Sequence, residues 1–203
     1  MSHRVLVTSF LVLSLALGAP SGARAGEALE QLKPEIGQII KVLENPALKG
    51  EAKTRERRDA LRRIGYPIFD WAQMAQRSLG RHWQPRTPSE RDEFVGVFRD
   101  LMMQTYISTI ERYSGEPIVY LAEAAQGDES TVNTKFVTKQ RQEISITYRL
   151  SKQGDRWLVY DVLVASVSLV ANYRAQFDQI IQTSSYPDLL RRIKAHDIAK
   201  KSA

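Results

Sequence analysis

Leu29, Leu32, Ile36, Ile39, Ile40 and Leu43 recur at three- and four-residue spacing, the stripe of a helix that buries one face. Asn45-Pro46 ends it. A charged second helix is predicted over residues 51–64, broken by Gly65-Tyr66-Pro67, and a third over 68–79, closing at Gly80. Thr87-Pro88-Ser89-Glu90 then writes a helix start: threonine caps, proline occupies a first turn that needs no amide donor, and glutamate reaches back. The long helix that follows, to about residue 113, carries Phe94, Val97, Phe98, Leu101 and Thr105 on one face with Val95, Met102, Tyr106 and Ile110 alongside. An apolar band that wide must be covered by more than one element, or by something else that is apolar.

From Pro117 the period changes to two. Ile144, Ile146, Tyr148 and Leu150 alternate with Ser145, Thr147 and Arg149, as Val132, Thr134 and Phe136 do before them, each a half-buried strand. An earlier strand covers residues 118–124 and a later one, apolar on both faces, residues 157–165. The short clusters Gln126-Gly127-Asp128-Glu129 and Lys152-Gln153-Gly154-Asp155 make neighbouring strands antiparallel. After Ser166 the helical period returns with Val170, Tyr173, Phe177, Ile180 and Ile181, and Pro187 opens a last, basic helix. The expected fold is therefore α+β: a four-stranded twisted antiparallel sheet covered by helices from both ends of the chain, with an apolar cavity between sheet and helices. The candidate lining is Phe94, Phe98, Leu101, Met102 and Tyr106 on the long helix, Ile146 and Tyr148 on the third strand, and Val164, Val167, Leu169 and Tyr173 where the last strand passes into helix.

The amino terminus changes the setting. A basic start at Arg4, an apolar run over 5–17 and the small-residue close Ala23-Arg24-Ala25 form a signal peptide over residues 1–25, too short to span a bilayer as a helix. Residues 26–203 are then one domain of an exported protein. The chain has no cysteine, so the fold is held by packing without disulfides, and thiol chemistry is excluded. Lys and Arg number 29 against 23 Asp and Glu, a formal charge of +6. Cations interleave with acids, as over 51–59 and 86–99, which describes solvated helix faces rather than a nucleic-acid stripe. A monomer that binds no nucleic acid is expected.

Catalytic chemistry has few candidates. His82 lies in a turn and His196 in a basic tail, and neither H-E-x-x-H, a G-x-S-x-G elbow nor a phosphate-binding glycine loop is present, so no metal and no cofactor is expected. Asp161 interrupts an apolar strand and Asp70 sits between Phe69 and Trp71. A carboxylate in an apolar pocket serves as a general acid or base; its alternative is a structural ion pair, for instance with Arg149. A small pocket enzyme using Asp161, Asp70 or His82 is thus the competing hypothesis.

Phe69-Asp70-Trp71, Met74, Leu79-Gly80 and Trp83, followed by the capped helix with Phe94, Phe98, Leu101 and Tyr106, resemble the Mla-pathway periplasmic phospholipid-binding family, the MlaC or toluene-tolerance auxiliary proteins. Tyr113-Ser114-Gly115-Glu116, Tyr148-Arg149-Leu150, the segment Trp157-Leu158-Val159-Tyr160-Asp161-Val162, Val167-Ser168-Leu169-Val170 and Asn172-Tyr173-Arg174 continue the likeness, which covers residues 29–198. The resemblance implies a periplasmic phospholipid carrier, not an enzyme. Its partners would be an outer-membrane lipoprotein complex and an inner-membrane ABC transporter complex with a ring-forming subunit. It also places the Val-Ser pair at the lipid cavity. Arg77, Arg81 and Arg86, with Arg191, Arg192 and Lys194 in the tail, are candidates for docking to those partners. The family often has glycine before the Val-Ser pair; Ser166 stands there in this chain, which keeps a hopanoid or sterol-like cargo as an alternative.

Overall fold

The structure is a computed structural model that describes residues 26–138 and 141–198; the expected signal peptide lies outside the described residues. Four helices precede the sheet: α1 (Glu27–Glu44), α2 (Thr54–Gly65), α3 (Trp71–Leu79) and α4 (Pro88–Ile110). The strands are β1 (Ile118–Gln126), β2 (Glu129–Val137), β3 (Glu143–Gln153), β4 (Arg156–Val164) and β5 (Val167–Ser168), and α5 (Leu169–Thr183) and α6 (Tyr186–Lys194) complete the chain. The fold is α+β, with one antiparallel sheet in the order β1-β2-β3-β4-β5. Among the described residues no helix is long and apolar enough to cross a membrane.

The sheet has five strands where alternation predicts four. Val167, expected to open a helix, instead pairs with Val164 across a two-residue turn, and the helix starts at Leu169 with Ser168 as its cap, the Ser168 hydroxyl accepting from the Ala171 N–H at 2.9 Å. Both turn residues have left-handed backbones, Ala165 at φ 47° and Ser166 at φ 68°, as a two-residue hairpin turn matched to strand twist requires. Only glycine adopts that region without penalty. Ser166 thus stands at a position whose backbone favours glycine. Ser166→Gly is expected to stabilise the protein by about 1 kcal/mol, a rise of roughly 2–4 °C in melting temperature, without altering what it binds; an unchanged or lower melting temperature would contradict this account.

Buried apolar side chains gather in two clusters. In the first, Met74, Ala75 and Leu79 of α3, Phe94, Phe98, Leu101 and Met102 of α4, Val170, Tyr173 and Phe177 of α5, and Leu189 and Ile193 of α6 pack with Tyr160 of β4. Edge-to-face rings set its geometry: Phe94 lies 5.9 Å from Phe177, and Phe98 the same distance from Tyr173. The second lies between α1 and the sheet, joining Ala28, Leu32 and Ile36 to Val132, Leu150, Trp157 and Val159. The Gln31 side chain fastens α1 there, donating to the Trp157 carbonyl at 2.7 Å and accepting from its N–H at 2.8 Å. Phe69 packs against both clusters, at a short parallel bridge to Val159 where the Asp70 N–H donates to the Val159 carbonyl at 2.9 Å. At the far end of α4, Glu111 accepts from Arg57 and Arg58 of α2 at 2.9 and 2.8 Å. Burial pushes the Glu111 carboxyl up, but the hydrogen bonds from Arg58 and Arg57 outweigh it and hold it below the ordinary carboxylate range.

Candidate functional site

The apolar face of β3 is packed at one end and uncovered at the other. Leu150 is 0% exposed, Tyr148 and Ile146 are half-buried, and Ile144 is 37% exposed, although all four point to the same face. Register carries the same gradient across the sheet. Leu150 pairs with the buried Val159, Tyr148 with the half-buried Val162, and Ile146 with Val164, which is 37% exposed. Val164 in turn faces Val167, 60% exposed.

Two helices repeat the trend. Along α1, Ala28, Leu32 and Ile36 are buried, whereas Ile39, Ile40 and Leu43 are half-buried. On α4, Phe94, Phe98, Leu101 and Met102 are buried, Tyr106 is half-buried, and Ile110 is 38% exposed. The ends of α1 and α4 come together around a cleft of about 610 Å³, lined by Leu43, Glu44, Arg57, Glu111 and Tyr113. Apolar side chains of β3, β4, α1 and α4 are therefore less covered toward these ends, although Ile107 of α4 is buried and the cleft itself is lined largely by polar and charged groups.

The phenols of Tyr106 and Tyr148 stay neutral near neutral pH. Burial and the neighbouring Tyr173 push the Tyr106 phenol well above its usual range, and Tyr173 itself donates to the Thr105 hydroxyl at 3.5 Å. Across the sheet, burial and Tyr120 do the same to Tyr148. Hydroxyls that never ionise near neutral pH suit contact with hydrocarbon or an ester.

The structure sorts the lining candidates. Phe94, Phe98, Leu101, Met102 and Tyr173 belong to the packed helical cluster, held against other protein side chains rather than bordering an open cleft. Tyr106, Ile146, Tyr148, Val164, Val167 and Leu169 are half-buried or exposed. Ile39, Ile40, Ile118, Phe136 and Val162, half-buried on α1 and the sheet, were not in the predicted set. The strand register supplies the missing signal, since Phe136 pairs with both Ile118 and Ile144.

The carboxylates and histidine of the competing hypothesis are engaged in structure. Asp161 accepts from the Ser168 hydroxyl at 2.7 Å, the Val170 N–H at 3.2 Å and Arg149 at 3.4 Å. Asp70 caps α3, accepting from the Gln73 N–H at 2.8 Å, and also accepts from the Gln153 side chain. His82 Nε2 lies 2.7 Å from Asp178, which Arg81 grips with two further bonds. The hydrogen bond to His82 and those from Arg81 hold the Asp178 carboxyl low against an opposing effect of burial. Arg86 bonds Glu90 at 3.2 Å and lies over the Tyr186 ring, and Arg77 lies over the Tyr160 ring, 4.3 Å from its centroid. In the tail, Arg191 and Arg192 pair with Asp188, and Lys194 pairs with Glu93.

Comparison with known proteins adds three findings. A family model described as MlaC protein matches residues 34–195. The chain is 24% identical over 180 residues to the toluene tolerance protein ttg2D of Pseudomonas putida, spanning 88% of this chain and 80% of that one. It also superposes, with a TM-score of 0.73 and 20% identity, on the phospholipid-binding protein from Ralstonia solanacearum solved in complex with a phospholipid, covering 83% of this chain and 95% of that one. At that identity the superposition shows the fold.

Proposed function

The chain belongs to the MlaC protein family, and from that premise we propose that it is a periplasmic carrier that holds phospholipid between sheet and helices. It would shuttle its cargo between an outer-membrane lipoprotein complex and an inner-membrane ABC transporter complex with a ring-forming subunit. One observation carries the proposal: the apolar faces of β3, β4, α1 and α4 are packed at one end and incompletely covered at the other. Each buried methylene is worth ~0.8 kcal/mol, so about thirty acyl methylenes crossing water bare would cost on the order of 20 kcal/mol. A carrier removes that barrier. Export by residues 1–25, a single lipid-binding domain over 26–203, and docking through the surface bearing Arg77, Arg81 and Arg86 belong to the same proposal, as does the absence of catalysis. Direction comes from the partners, because carriage by itself is symmetric.

Native mass spectrometry of protein purified from the periplasm without detergent tests it. The expected result is a chain beginning near Gly26 with bound species of phospholipid mass. Val167→Glu separates a lipid contact from packed core. At 60% exposure a carboxylate at this position is hydrated in the empty protein, so folding is unaffected. Covered by an acyl chain, the same group loses its water at a cost of several kcal/mol. Val167→Glu should thus melt like the parent yet carry no lipid, while Val167→Leu keeps it. A parent protein that is folded and always empty would refute the carrier.

A further inference from the structure

Helix α1 is fastened along its first half only. Lys152 pairs with Glu27 at 2.9 Å, the Leu29 N–H donates to Glu123 at 2.8 Å, Gln31 holds the Trp157 backbone in both directions, Lys33 lies over the Tyr120 ring, and Arg156 pairs with Glu35 at 3.4 Å. Every one of these ties falls within residues 27–36, as do the buried Ala28, Leu32 and Ile36. Over residues 37–44, among the described residues, no side-chain hydrogen bond or ion pair joins the helix to the rest of the protein. Ile39 and Ile40 pack half-buried against the second cluster, and Leu43 and Glu44 line the cleft of about 610 Å³. The boundary between the two halves coincides with two weak points in the backbone. Pro34 stands inside the helix and cannot donate the bond that the Glu30 carbonyl would otherwise accept. Gly37 follows within one turn. Glycine weakens a helix interior relative to alanine, and nothing here demands it: the backbone at 37 is helical, and a methyl group would meet no atom outside its own stretch of helix within 4 Å.

We propose that α1 is a hinged lid. Residues 27–36 stay fixed to the sheet, and residues 37–44 swing about the stretch from Pro34 to Gly37, widening the cleft between the ends of α1 and α4 so that cargo passes. Bends in helices concentrate at proline and glycine, and hinges are a few residues that absorb the backbone change. Little packing opposes the swing, because Ile39, Ile40 and Leu43 are already half in water. Glu111 holds α2 to α4 through Arg57 and Arg58, so the moving wall is α1 alone.

The lid's cargo rests on the carrier reading; its motion does not, and two measurements on the full exported chain separate them. Hydrogen exchange with mass spectrometry reads the motion. Amides over 38–44 of the empty parent should exchange at least about tenfold faster than those over 30–36. Gly37→Ala should slow the faster set about fivefold and raise the melting temperature by about 2–4 °C. Fraying of the last turn alone would leave 38–40 slow and indifferent to Gly37→Ala, and would overturn the hinge. Transfer of NBD-labelled phosphatidylglycerol from vesicles of palmitoyloleoylphosphatidylglycerol reads the gate. Gly37→Ala should slow uptake and release alike, by about fivefold, with the final loading unchanged. The chain has no cysteine, so Glu44→Cys with Ser114→Cys, both lining the cleft, supplies a unique pair. Bridging that pair with a bifunctional methanethiosulfonate should stop uptake and release until a reductant frees it. Parent rates in both Gly37→Ala and the bridged protein would overturn the lid while the carrier stood. A parent that exchanges as expected yet takes up no lipid would overturn the carrier, and the lid's cargo with it.

Discussion

Ile146→Glu should give folded protein emptied of lipid, and Leu150→Glu, on the same face of the same strand, should give protein that does not fold. Leu150 is 0% exposed among Val132, Trp157 and Val159. A glutamate there forfeits roughly 2–5 kcal/mol of packing and adds several more for a carboxylate that is either unpaired or forced to protonate. That sum approaches the whole stability of a domain, about 5–15 kcal/mol. Ile146 pairs with Thr134 and with the 37%-exposed Val164. A carboxylate at 146 reaches water in the empty protein, but acyl chains lying over the strand would seal it off. Loss of at least about 3 kcal/mol in binding follows, roughly a hundredfold or more. Thermal melts and lipid mass spectra of both variants check this. An Ile146→Glu protein that keeps its lipid, or a Leu150→Glu protein with a normal melt, would show that the burial gradient does not mark the site.

Asp161→Ala is expected to cost about 3–5 kcal/mol, the range for breaking one side of a buried ion pair. The loss falls on three partners at once. The Ser168 hydroxyl, the Val170 N–H and Arg149 each donate to this carboxylate, so removing it strips the start of α5 and the β4–β5 turn of their common anchor. At roughly 2–4 °C per kcal/mol for a protein of this size, the melting temperature falls by about 6–20 °C. Asp161→Asn keeps the shape and part of the hydrogen bonding and should lose less. Were Asp161 a general acid or base instead, its replacement would leave the melt nearly unchanged.

Local signals that are strong in sequence are present in the structure. Thr87 and Glu90 form the reciprocal cap, the Thr87 hydroxyl accepting from the Glu90 N–H at 3.3 Å and the Glu90 carboxylate from the Thr87 N–H at 2.8 Å, and α4 runs from there. The alternation over 144–150 gives β3 directly. The two-residue β5 has no period to read, and its turn is made by Ala165 and Ser166, residues that do not advertise a left-handed backbone. Within the site, Ile146 and Leu150 are equivalent in pattern; only the point at which close packing of α1 gives out, beyond Ile36, makes one a wall and the other core. The breadth of the apolar band on α4 is likewise ambiguous in sequence. Much of it is taken up by the rings of Tyr173, Phe177 and Tyr186.

Phe69 joins the two apolar clusters beside Val159, at the closed end of β4, and Val164 at the open end lies roughly 15 Å further along the strand. The two clusters are keyed together by that ring at the closed end and tied again by the Glu111 carboxylate, bonded to Arg57 and Arg58, at the far end of α4. On the carrier reading, a cargo seated between them would meet a frame held at both ends, so its girth would be limited before its chemistry.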